Sequence, residues 1–124
     1  MLVERVEGFC AETDWMRAYG EINDFEAQLA EAGTVVSKFW MAITEDEQLR
    51  RFKEREAIGF KQFKITEEDW RNRARWADYR HATCDMIDRT STELAPWTLV
   101  PANDKLGARL LVLETLCDRI EAAL

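Results

Sequence analysis

The sequence predicts an α/β fold that is mostly helical and contains two parallel strands. Three observations support this prediction. Apolar residues recur at spacings of three and four over most of the chain, as they do on buried helix faces. Two runs rich in β-branched and aromatic residues, at 34–43 and 97–100, flank a long helical stretch, and strands alternating with helices are typical of parallel sheets. The length of 124 residues, 47% of them hydrophobic and 33% charged, suits one globular domain.

Two helices are predicted before the first strand. A short helix spans Leu2 to Phe9, and a longer one spans Asp14 to Ala32. The apolar residues of the longer helix recur at spacings of three, four and seven, which predicts one buried face: Trp15, Ile22, Phe25 and Leu29. Gly33 follows as a helix stop, since glycine adopts the left-handed conformation that ends many helices.

The run from Thr34 to Ile43 is nearly continuous in apolar residues, which predicts a central parallel strand buried on both faces. The second strand, Trp97 to Val100, lies between Pro96 and Pro101, and prolines at both ends fit strand boundaries. Two strands do not complete a sheet of this kind. We therefore expect the neighbouring strands of the sheet to lie outside these residues.

Capping signals mark the helices between the strands. The segment Thr44–Glu47 has the capping-box pattern and opens a helix that ends before Gly59. A basic and aromatic loop is predicted for Phe60–Lys64. The segment Thr66–Asp69 opens the next helix, which is predicted to continue to about Asp88, and its acidic residues suit the positive end of the helix dipole.

The last helix is predicted over Asp104–Ala123, with Asn103 as its N-cap. Its apolar residues step by three and four throughout, and this stripe predicts one firmly buried face: Leu106, Leu110, Leu113, Cys117, Ile120 and Leu124.

The distribution of charge is uneven. The net charge of −7 argues against a general nucleic-acid-binding protein. The stretch from Arg50 to Arg80 nevertheless contains ten basic and six acidic residues, so it carries +4 while the remaining residues carry −11. This basic island in an acidic protein is the most informative feature of the composition.

Several classes of site and location are excluded by composition. The three cysteines, Cys10, Cys84 and Cys117, are far apart and form no CxxC motif, which predicts small buried residues in a reducing compartment. His81 is the only histidine, so a histidine-rich metal site is excluded, and we expect the His81–Cys84 pair to pack rather than catalyse. No apolar run of membrane-spanning length occurs, and the charged N-terminus lacks a signal-peptide pattern, so a cytoplasmic protein without membrane contact is expected.

Several blocks of sequence, in order along the chain, resemble the C-terminal half of the polyphosphate kinase 2 family: Lys38–Ile43, Glu47–Arg55, Phe60–Arg73, Arg89–Thr92, Ala95–Trp97 and Asn103–Lys105. The opening segment Leu2–Phe9 is most similar to the second catalytic domain of polyphosphate:AMP phosphotransferases. The resemblance extends over essentially all residues, 1–124.

The resemblance implies a P-loop kinase fold similar to thymidylate kinase. Such an enzyme transfers the terminal phosphoryl group of polyphosphate to a nucleotide, AMP or ADP, with Mg²⁺. A Walker A loop holds nucleotide phosphates, a Walker B strand end holds the metal, and a helical lid closes with basic residues. No G-x-x-x-x-G-K motif occurs in this sequence. We therefore expect residues 1–124 to be the lid-bearing C-terminal portion, with the lid at about 57–90, without Mg²⁺ ligands and without appreciable turnover of its own.

The resemblance also implies roles for basic residues. Arg73 is expected to be catalytic, and Lys61 and Lys64 are expected to bind phosphate. Arg51 and Arg55 are four residues apart, share a helix face and are expected to line the same phosphate groove. The alternative is a solvated helix face with ion pairs to neighbouring glutamates. Phosphoryl transfer needs cations that track the charge of the moving group, and arginine offers a planar, two-pronged donor.

Other roles remain open at this point. Trp70, Trp76 and Tyr79 either pack the lid helices, which we expect, or stack on a base. Asp104 and Lys105 either cap the last helix or contact the nucleotide. The alternatives to a phosphotransferase are a non-catalytic polyphosphate-binding or oligomerising module and one complementing half of a split enzyme. The resemblance also favours a homo-oligomer.

Overall fold

The computed structural model describes residues 1–124 and shows seven helical segments and two strands. The α-helices are α1 (Leu2–Val6), α2 (Glu12–Glu31), α3 (Glu45–Ala57), α4 (Glu67–Ala74), α5 (Trp76–Thr90) and α6 (Lys105–Ala123). A 3₁₀ helix spans Gly59–Lys64 between α3 and α4. The strands are β1 (Lys38–Ala42) and β2 (Trp97–Pro101). No helix combines the length and the apolar character that crossing a membrane requires.

The two strands form a parallel sheet, as the sequence predicts. Their register runs from Lys38 opposite Trp97 to Ala42 opposite Pro101. The chain between them forms α3, the 3₁₀ helix, α4 and α5, which is the long crossover that parallel strands need. The predicted α/β class, mostly helical with two parallel strands and a helical insert, is therefore confirmed.

Helices cover both faces of the sheet. On one face, the Lys38 Nζ of β1 donates to Glu26 Oε2 of α2 (2.6 Å) and to the carbonyl oxygen of Thr90 in α5 (2.5 Å). On the other face, Val100 of β2 packs against Ala108 of α6. Because successive side chains of a strand point to opposite faces, α2 and α5 form one layer and α6 the other.

The sheet is less buried than the sequence predicts. The strand begins at Lys38 rather than Thr34, and Met41 within it is 46% exposed. Only 12 of the 124 residues are buried, and the core beneath α6 has three of them, Val100, Ala102 and Ala108. The physical reason is that β1 pairs with β2 along one edge only, so its other edge has no neighbour to exclude water.

The expectation for α6 was wrong in two respects. Its N-cap is Asp104, whose carboxylate accepts from the backbone N–H groups of Leu106 (3.0 Å) and Gly107 (3.2 Å). Asn103 instead accepts from the backbone N–H of Thr44 and donates to its hydroxyl, at 3.0 and 3.3 Å. The stripe that begins at Leu106 is exposed, because α6 turns the small residue Ala108 towards the sheet.

The helices before and after α3 also differ from expectation. The first helix ends at Val6, and Gly8 has a φ of +72°, a value that suits glycine at this turn. The helix predicted from Thr66 to about Asp88 is divided at Arg75, which has non-helical dihedral angles and donates to the carbonyl oxygen of Val6. The Arg75 contact holds the start of α5 against α1.

Candidate phosphate-binding lid

The first turn of α3 is built around one carboxylate. The hydroxyl of Thr44 accepts from the backbone N–H of Glu47 at 3.3 Å, which is one of the two bonds of the predicted capping box. The reciprocal bond, from the backbone N–H of Thr44 to the Glu47 carboxylate, is absent. The carboxylate instead accepts from Arg50 at 2.7 and 2.8 Å and from Arg51 at 2.7 Å, and these bonds lower the Glu47 pKa to about 2 while raising the pKa of Arg50.

Arg51 joins α3 to the end of β2. Its Nε donates to Glu47, and its Nη2 donates to the carbonyl oxygens of Ala102 (2.6 Å) and Asn103 (3.1 Å). The side chain is 17% exposed, and of its nitrogen atoms only Nη1 has no protein partner. Arg51 therefore holds the helix at the carboxyl ends of the strands and keeps one amino group available.

Arg55 differs from Arg51 although both lie on α3. No carboxylate lies within ion-pair distance of its guanidinium, because Glu54 pairs with Arg50 at 3.2 Å and Glu47 pairs with Arg50 and Arg51. The alternative stated for this helix, a solvated face with ion pairs to neighbouring glutamates, therefore describes Arg50 and Arg51. Arg55 is half-buried and free of it.

The segment predicted as a basic and aromatic loop is a 3₁₀ helix. Its Gln62 Nε2 donates to the carbonyl oxygen of Glu56 at 2.8 Å, which folds the segment back on the end of α3. Residues three apart eclipse one another in a 3₁₀ helix, so Lys61 and Lys64 share one face. Neither lysine has an ion pair, and their Nζ atoms lie 5.6 and 5.7 Å from the ring centroids of the preceding phenylalanines.

We use the term lid cations for Arg55, Lys61 and Lys64. Phe60 and Phe63, which accompany the two lysines, are 75% and 76% exposed, so the 3₁₀ helix buries almost none of its apolar surface. Lys53 of α3 also lacks an ion pair, and sequence reasoning did not single it out. The signal for Lys53 is its position two residues before Arg55, within the same basic run.

Arg73 lies at the opposite end of α3 from the lid cations. Its Nη1 donates to the carbonyl oxygen of Glu45 (2.8 Å) and to Gln48 Oε1 (3.1 Å), and Nη2 lies 3.6 Å from Glu45 Oε1. These contacts fix it at the first turn of α3, which by helix rise is about 18 Å from the last turn. Arg73 therefore lies at the N-terminal end of α3, towards which the side chain of Arg51 also bonds. Lys61 and Lys64 lie at the C-terminal end of α3.

An open cleft of about 510 Å³ surrounds Arg73 and is lined by Glu45, Trp70, Arg73, Ala74, Trp76 and Ala77. Trp70 packs edge-on against the buried Phe52, with ring centroids 5.2 Å apart. The Tyr79 hydroxyl lies within donating distance of Asn72 Oδ1 (3.0 Å) and Glu7 Oε1 (3.2 Å), and its burial, with Glu7 beside it, raises its pKa. Trp70 and Tyr79 thus make packing and hydrogen-bond contacts with neighbouring helices, which agrees with the packing role expected for them.

A second cleft, of about 390 Å³, lies at the carboxyl ends of the strands and is lined by Ala42, Ile43, Thr44, Leu99, Pro101, Ala102, Asn103 and Asp104. Ligands of open α/β sheets bind outside this edge. Asp104 acts as the helix cap here, and Lys105 begins α6 beside it. The signal for this cleft in the sequence is a polar residue two positions after the end of each strand, Thr44 and Asn103.

The remaining candidates do not form a site. All three cysteines are free; Cys10 is half-buried and Cys84 and Cys117 are exposed, so the prediction of buried thiols was wrong. The reason is that both exposed thiols lie on outward faces of α5 and α6. No group of three or more histidine, cysteine, aspartate or glutamate side chains is placed to hold a metal ion. The chain thus offers no such group for the Mg²⁺ that the resemblance implies.

Comparisons with known proteins identify the family. The model of the polyphosphate kinase 2 (PPK2) family matches residues 1–124. The chain is 67% identical over 123 residues to a polyphosphate:AMP phosphotransferase of Pseudomonas syringae pv. tomato, covering 99% of this chain and 25% of that protein. A polyphosphate:AMP phosphotransferase of Acinetobacter johnsonii is 53% identical over 98% of this chain and 26% of its own length.

A solved structure supports the same assignment. The crystal structure of polyphosphate kinase 2 from Arthrobacter aurescens TC1 superposes with a TM-score of 0.92 at 39% identity, over 97% of this chain and 42% of that chain. The chain spans about a quarter of the length of these two curated relatives. The resemblance drawn from the sequence blocks is confirmed: the chain belongs to the polyphosphate kinase 2 family.

Proposed function

We propose that this chain is the lid-bearing C-terminal portion of a polyphosphate:nucleotide phosphotransferase that converts AMP to ADP with polyphosphate as donor. The observation that carries the proposal is the set of lid cations. Arg55, Lys61 and Lys64 carry no ion pair in a chain whose net charge is −7. Cations left unpaired beside abundant carboxylates are available for an anion.

Polyphosphate fits these cations by its chemistry. It is a linear anion with one negative charge or more on each phosphate unit, so cations spaced along a surface bind successive units. Lys61 and Lys64 on one face of the 3₁₀ helix, with Arg55 on the adjoining end of α3, offer three such positions. Binding of this kind weakens as salt rises, because counterions compete for both partners.

Arg73 is proposed as the catalytic cation. Its Nη1 is held by Glu45 and Gln48, while its Nε has no partner and the guanidinium borders the open cleft beside Trp76. An arginine fixed in this manner presents donors to a transferring phosphoryl group without having to reorganise. Arg51, with Nη1 unpaired at the ends of the strands, is proposed to bind phosphate from the nucleotide side.

The choice of AMP as acceptor is supported by relatives rather than by geometry. The proteins from P. syringae and A. johnsonii are named polyphosphate:AMP phosphotransferases, and they match this chain at 67% and 53% identity. A relative from Ruegeria pomeroyi that is named an NDP-polyphosphate phosphotransferase is 40% identical. The difference in identity favours AMP.

Turnover is proposed to require elements that these residues do not contain. The sequence has no G-x-x-x-x-G-K motif, and the described residues offer no metal ligand set. The 124 residues are therefore expected to bind polyphosphate and to form no appreciable ADP. The same two observations favour the second candidate, a non-catalytic polyphosphate-binding module.

Two assays test the proposal. Anisotropy of labelled long-chain polyphosphate measures binding by the chain, by Lys61→Ala/Lys64→Ala and by Arg17→Ala. Arg17 lies on α2, is 67% exposed and pairs with Asp14 and Glu21, so it controls for the loss of a positive charge away from the lid cations. The double variant is expected to bind at least about tenfold more weakly than the control variant. Equal affinities would contradict the proposed role of the lid cations.

The second assay measures ADP formed from AMP, polyphosphate and Mg²⁺. No ADP is expected from the 124 residues. Mixing them with a separately produced P-loop portion of a polyphosphate:AMP phosphotransferase is expected to restore ADP formation, and Arg73→Ala is expected to abolish that recovery. A mixture that binds polyphosphate and stays inactive would favour the non-catalytic module.

A further inference from the structure

Arg73 is anchored by neutral acceptors. Its Nη1 donates to the carbonyl oxygen of Glu45 at 2.8 Å and to Oε1 of the half-buried Gln48 at 3.1 Å. The one carboxylate beside it, that of Glu45, lies 3.6 Å from Nη2, which is too long for a hydrogen bond. The Glu45 side chain is also 52% exposed, so water screens its charge. The two hydrogen bonds that fix Arg73 therefore leave its positive charge in place.

The arginines of α3 are anchored in a different way. Arg50 and Arg51 both donate to the carboxylate of Glu47, over distances of 2.7 and 2.8 Å, and this carboxylate is only 14% exposed. An anionic anchor fixes a guanidinium and offsets its charge at the same time. Glu47 and Gln48 are adjacent in the first turn of α3. The same turn thus holds two arginines by a carboxylate and Arg73 by an amide.

The bonds to Nη1 leave one whole edge of the Arg73 guanidinium without a hydrogen bond. Nε has no protein partner, and Nη2 has only the distant Glu45 carboxylate. Nε and Nη2 share the edge through which arginine forms two parallel bonds with a phosphate. The edge-on contact between Phe52 and Trp70, with ring centroids 5.2 Å apart, also holds α4 on α3. Arg73 is therefore fixed from one side and open on the other.

We propose that Gln48 is the positioning residue of Arg73 and that the site requires its neutrality. The amide fixes the guanidinium through Nη1 and leaves both the charge and the two-pronged edge for a phosphate. Gln48 itself touches no substrate. The inference rests on the role proposed above for Arg73, to which it adds the reason that an amide, and not a carboxylate, stands at position 48.

Three variants separate the acceptor from the charge. Gln48→Glu keeps an oxygen acceptor at the same position and adds a negative charge beside Arg73. Gln48→Met keeps the length of the side chain and removes the acceptor. Gln28→Glu makes the same chemical change at an exposed residue of α2 and is the matched control for net charge.

Anion binding is measured at Arg73 itself. In the chain labelled with ¹⁵N-arginine, the Nε–Hε signal of Arg73 is assigned by its absence from Arg73→Lys and followed during titration with tripolyphosphate. This signal reports the Arg73 guanidinium rather than the lid cations. Gln48→Glu is expected to weaken the affinity by about tenfold relative to Gln28→Glu, because the added carboxylate repels the anion. Equal affinities overturn the proposal.

Stability distinguishes this role from a purely structural one. The urea midpoint of Gln48→Glu is expected to equal or exceed that of Gln28→Glu, because a charged acceptor binds arginine more strongly and an acid suits the first turn of a helix. Gln48→Met is expected to lower the midpoint. If Gln48 only held α4 on α3, tripolyphosphate affinity would follow stability, and Gln48→Glu would lose none. A midpoint as low for Gln48→Glu as for Gln48→Met overturns the proposal.

The mobility of the guanidinium tests the anchor without any anion. The bonds to Nη1 restrain rotation about the Nε–Cζ bond, so exchange between the two Nη groups of Arg73, measured by NMR, is expected to be faster in Gln48→Met and unchanged in Gln48→Glu. Unchanged exchange in Gln48→Met overturns the positioning role.

The titration also separates this inference from the proposed function. If tripolyphosphate leaves the Arg73 signal of the unsubstituted chain unmoved, the role of Arg73 in the proposed function fails, and this inference fails with it. If the signal responds equally in Gln48→Glu and Gln28→Glu, the role of Arg73 stands and only the role of Gln48 is overturned.

Discussion

Arg73 donates from Nη1 to the carbonyl oxygen of Glu45, 2.8 Å away, and so ties α4 to the first turn of α3. A second bond, to Gln48 Oε1 at 3.1 Å, lies on the same turn. The residue proposed as the catalytic cation is therefore also a structural link between two helices. Its substitutions must be judged by stability as well as by activity.

Arg73→Ala is expected to lower the free energy of unfolding by about 1–3 kcal/mol, because two hydrogen bonds of a charged group are lost at a side chain that is 16% exposed. Arg71→Ala is the control, since Arg71 is 46% exposed and lies 3.7 Å from Glu7, and its expected cost is below about 1 kcal/mol. Urea unfolding followed by circular dichroism measures both. Equal costs would show that the Arg73 link contributes little.

Lys38→Met is expected to be strongly destabilising. It leaves the Glu26 carboxylate buried without its ion-pair partner and removes a donor from the carbonyl oxygen of Thr90. Breaking a buried ion pair costs about 3–5 kcal/mol. The double variant Lys38→Met/Glu26→Leu removes both charges and is expected to recover most of the loss. A double variant as unstable as Lys38→Met would contradict this account of the pair.

The stability of the chain is expected to fall in acid partly through Glu47. Bonds from Arg50 and Arg51 hold its pKa at about 2, below its ordinary value of 4.5. A depressed pKa stabilises the fold above the unfolded value, so this contribution is complete above about pH 4.5 and is lost as pH falls towards about 2. The difference in urea midpoint between the chain and Glu47→Gln is expected to shrink over that window. A constant difference would exclude the linkage.

Gly107 is expected to be a position where alanine fails to stabilise the helix. A Cβ atom there would lie 2.8 Å from Oδ2 of Asp104, the carboxylate that caps α6. Asp104→Ala is expected to cost about 1 kcal/mol as a lost N-cap. Gly107→Ala is expected to give no gain in the native chain and a gain of about 0.5–1 kcal/mol in the Asp104→Ala background. Thermal unfolding of the four proteins measures the coupling, and additive effects would contradict it.

Local signals were the part of the fold that the sequence predicted well. The helix start predicted at Thr66–Asp69 is present, and it carries a capping box with both reciprocal bonds, because the two partners are three residues apart. The N-cap of α6 was misassigned because Asn103 and Asp104 are both good caps and adjacent. The choice between them depends on Thr44, which engages Asn103 from a distant part of the chain.

Contacts between distant parts of the chain limited how much of the candidate site could be predicted from the sequence. The spacing of Arg51 and Arg55 placed them on one face, but it did not show that Arg51 bonds the carbonyl oxygens after β2 while Arg55 stays unpaired. The periodicity of the stripe containing Leu110 identified an apolar face of α6 and could not reveal what covers it. A periodic pattern gives the face of a helix, and the partner of that face is a property of the assembled fold.

The salt dependence of polyphosphate binding tests the central claim most directly. Plotted as log affinity against log salt, binding by the chain is expected to have a negative slope, and Lys61→Ala/Lys64→Ala is expected to make that slope shallower by about one to two units. Arg17→Ala is expected to leave the slope unchanged, since its charge is already paired. A slope that is the same in the chain and in the lysine variant would contradict the assignment of the lid cations to polyphosphate.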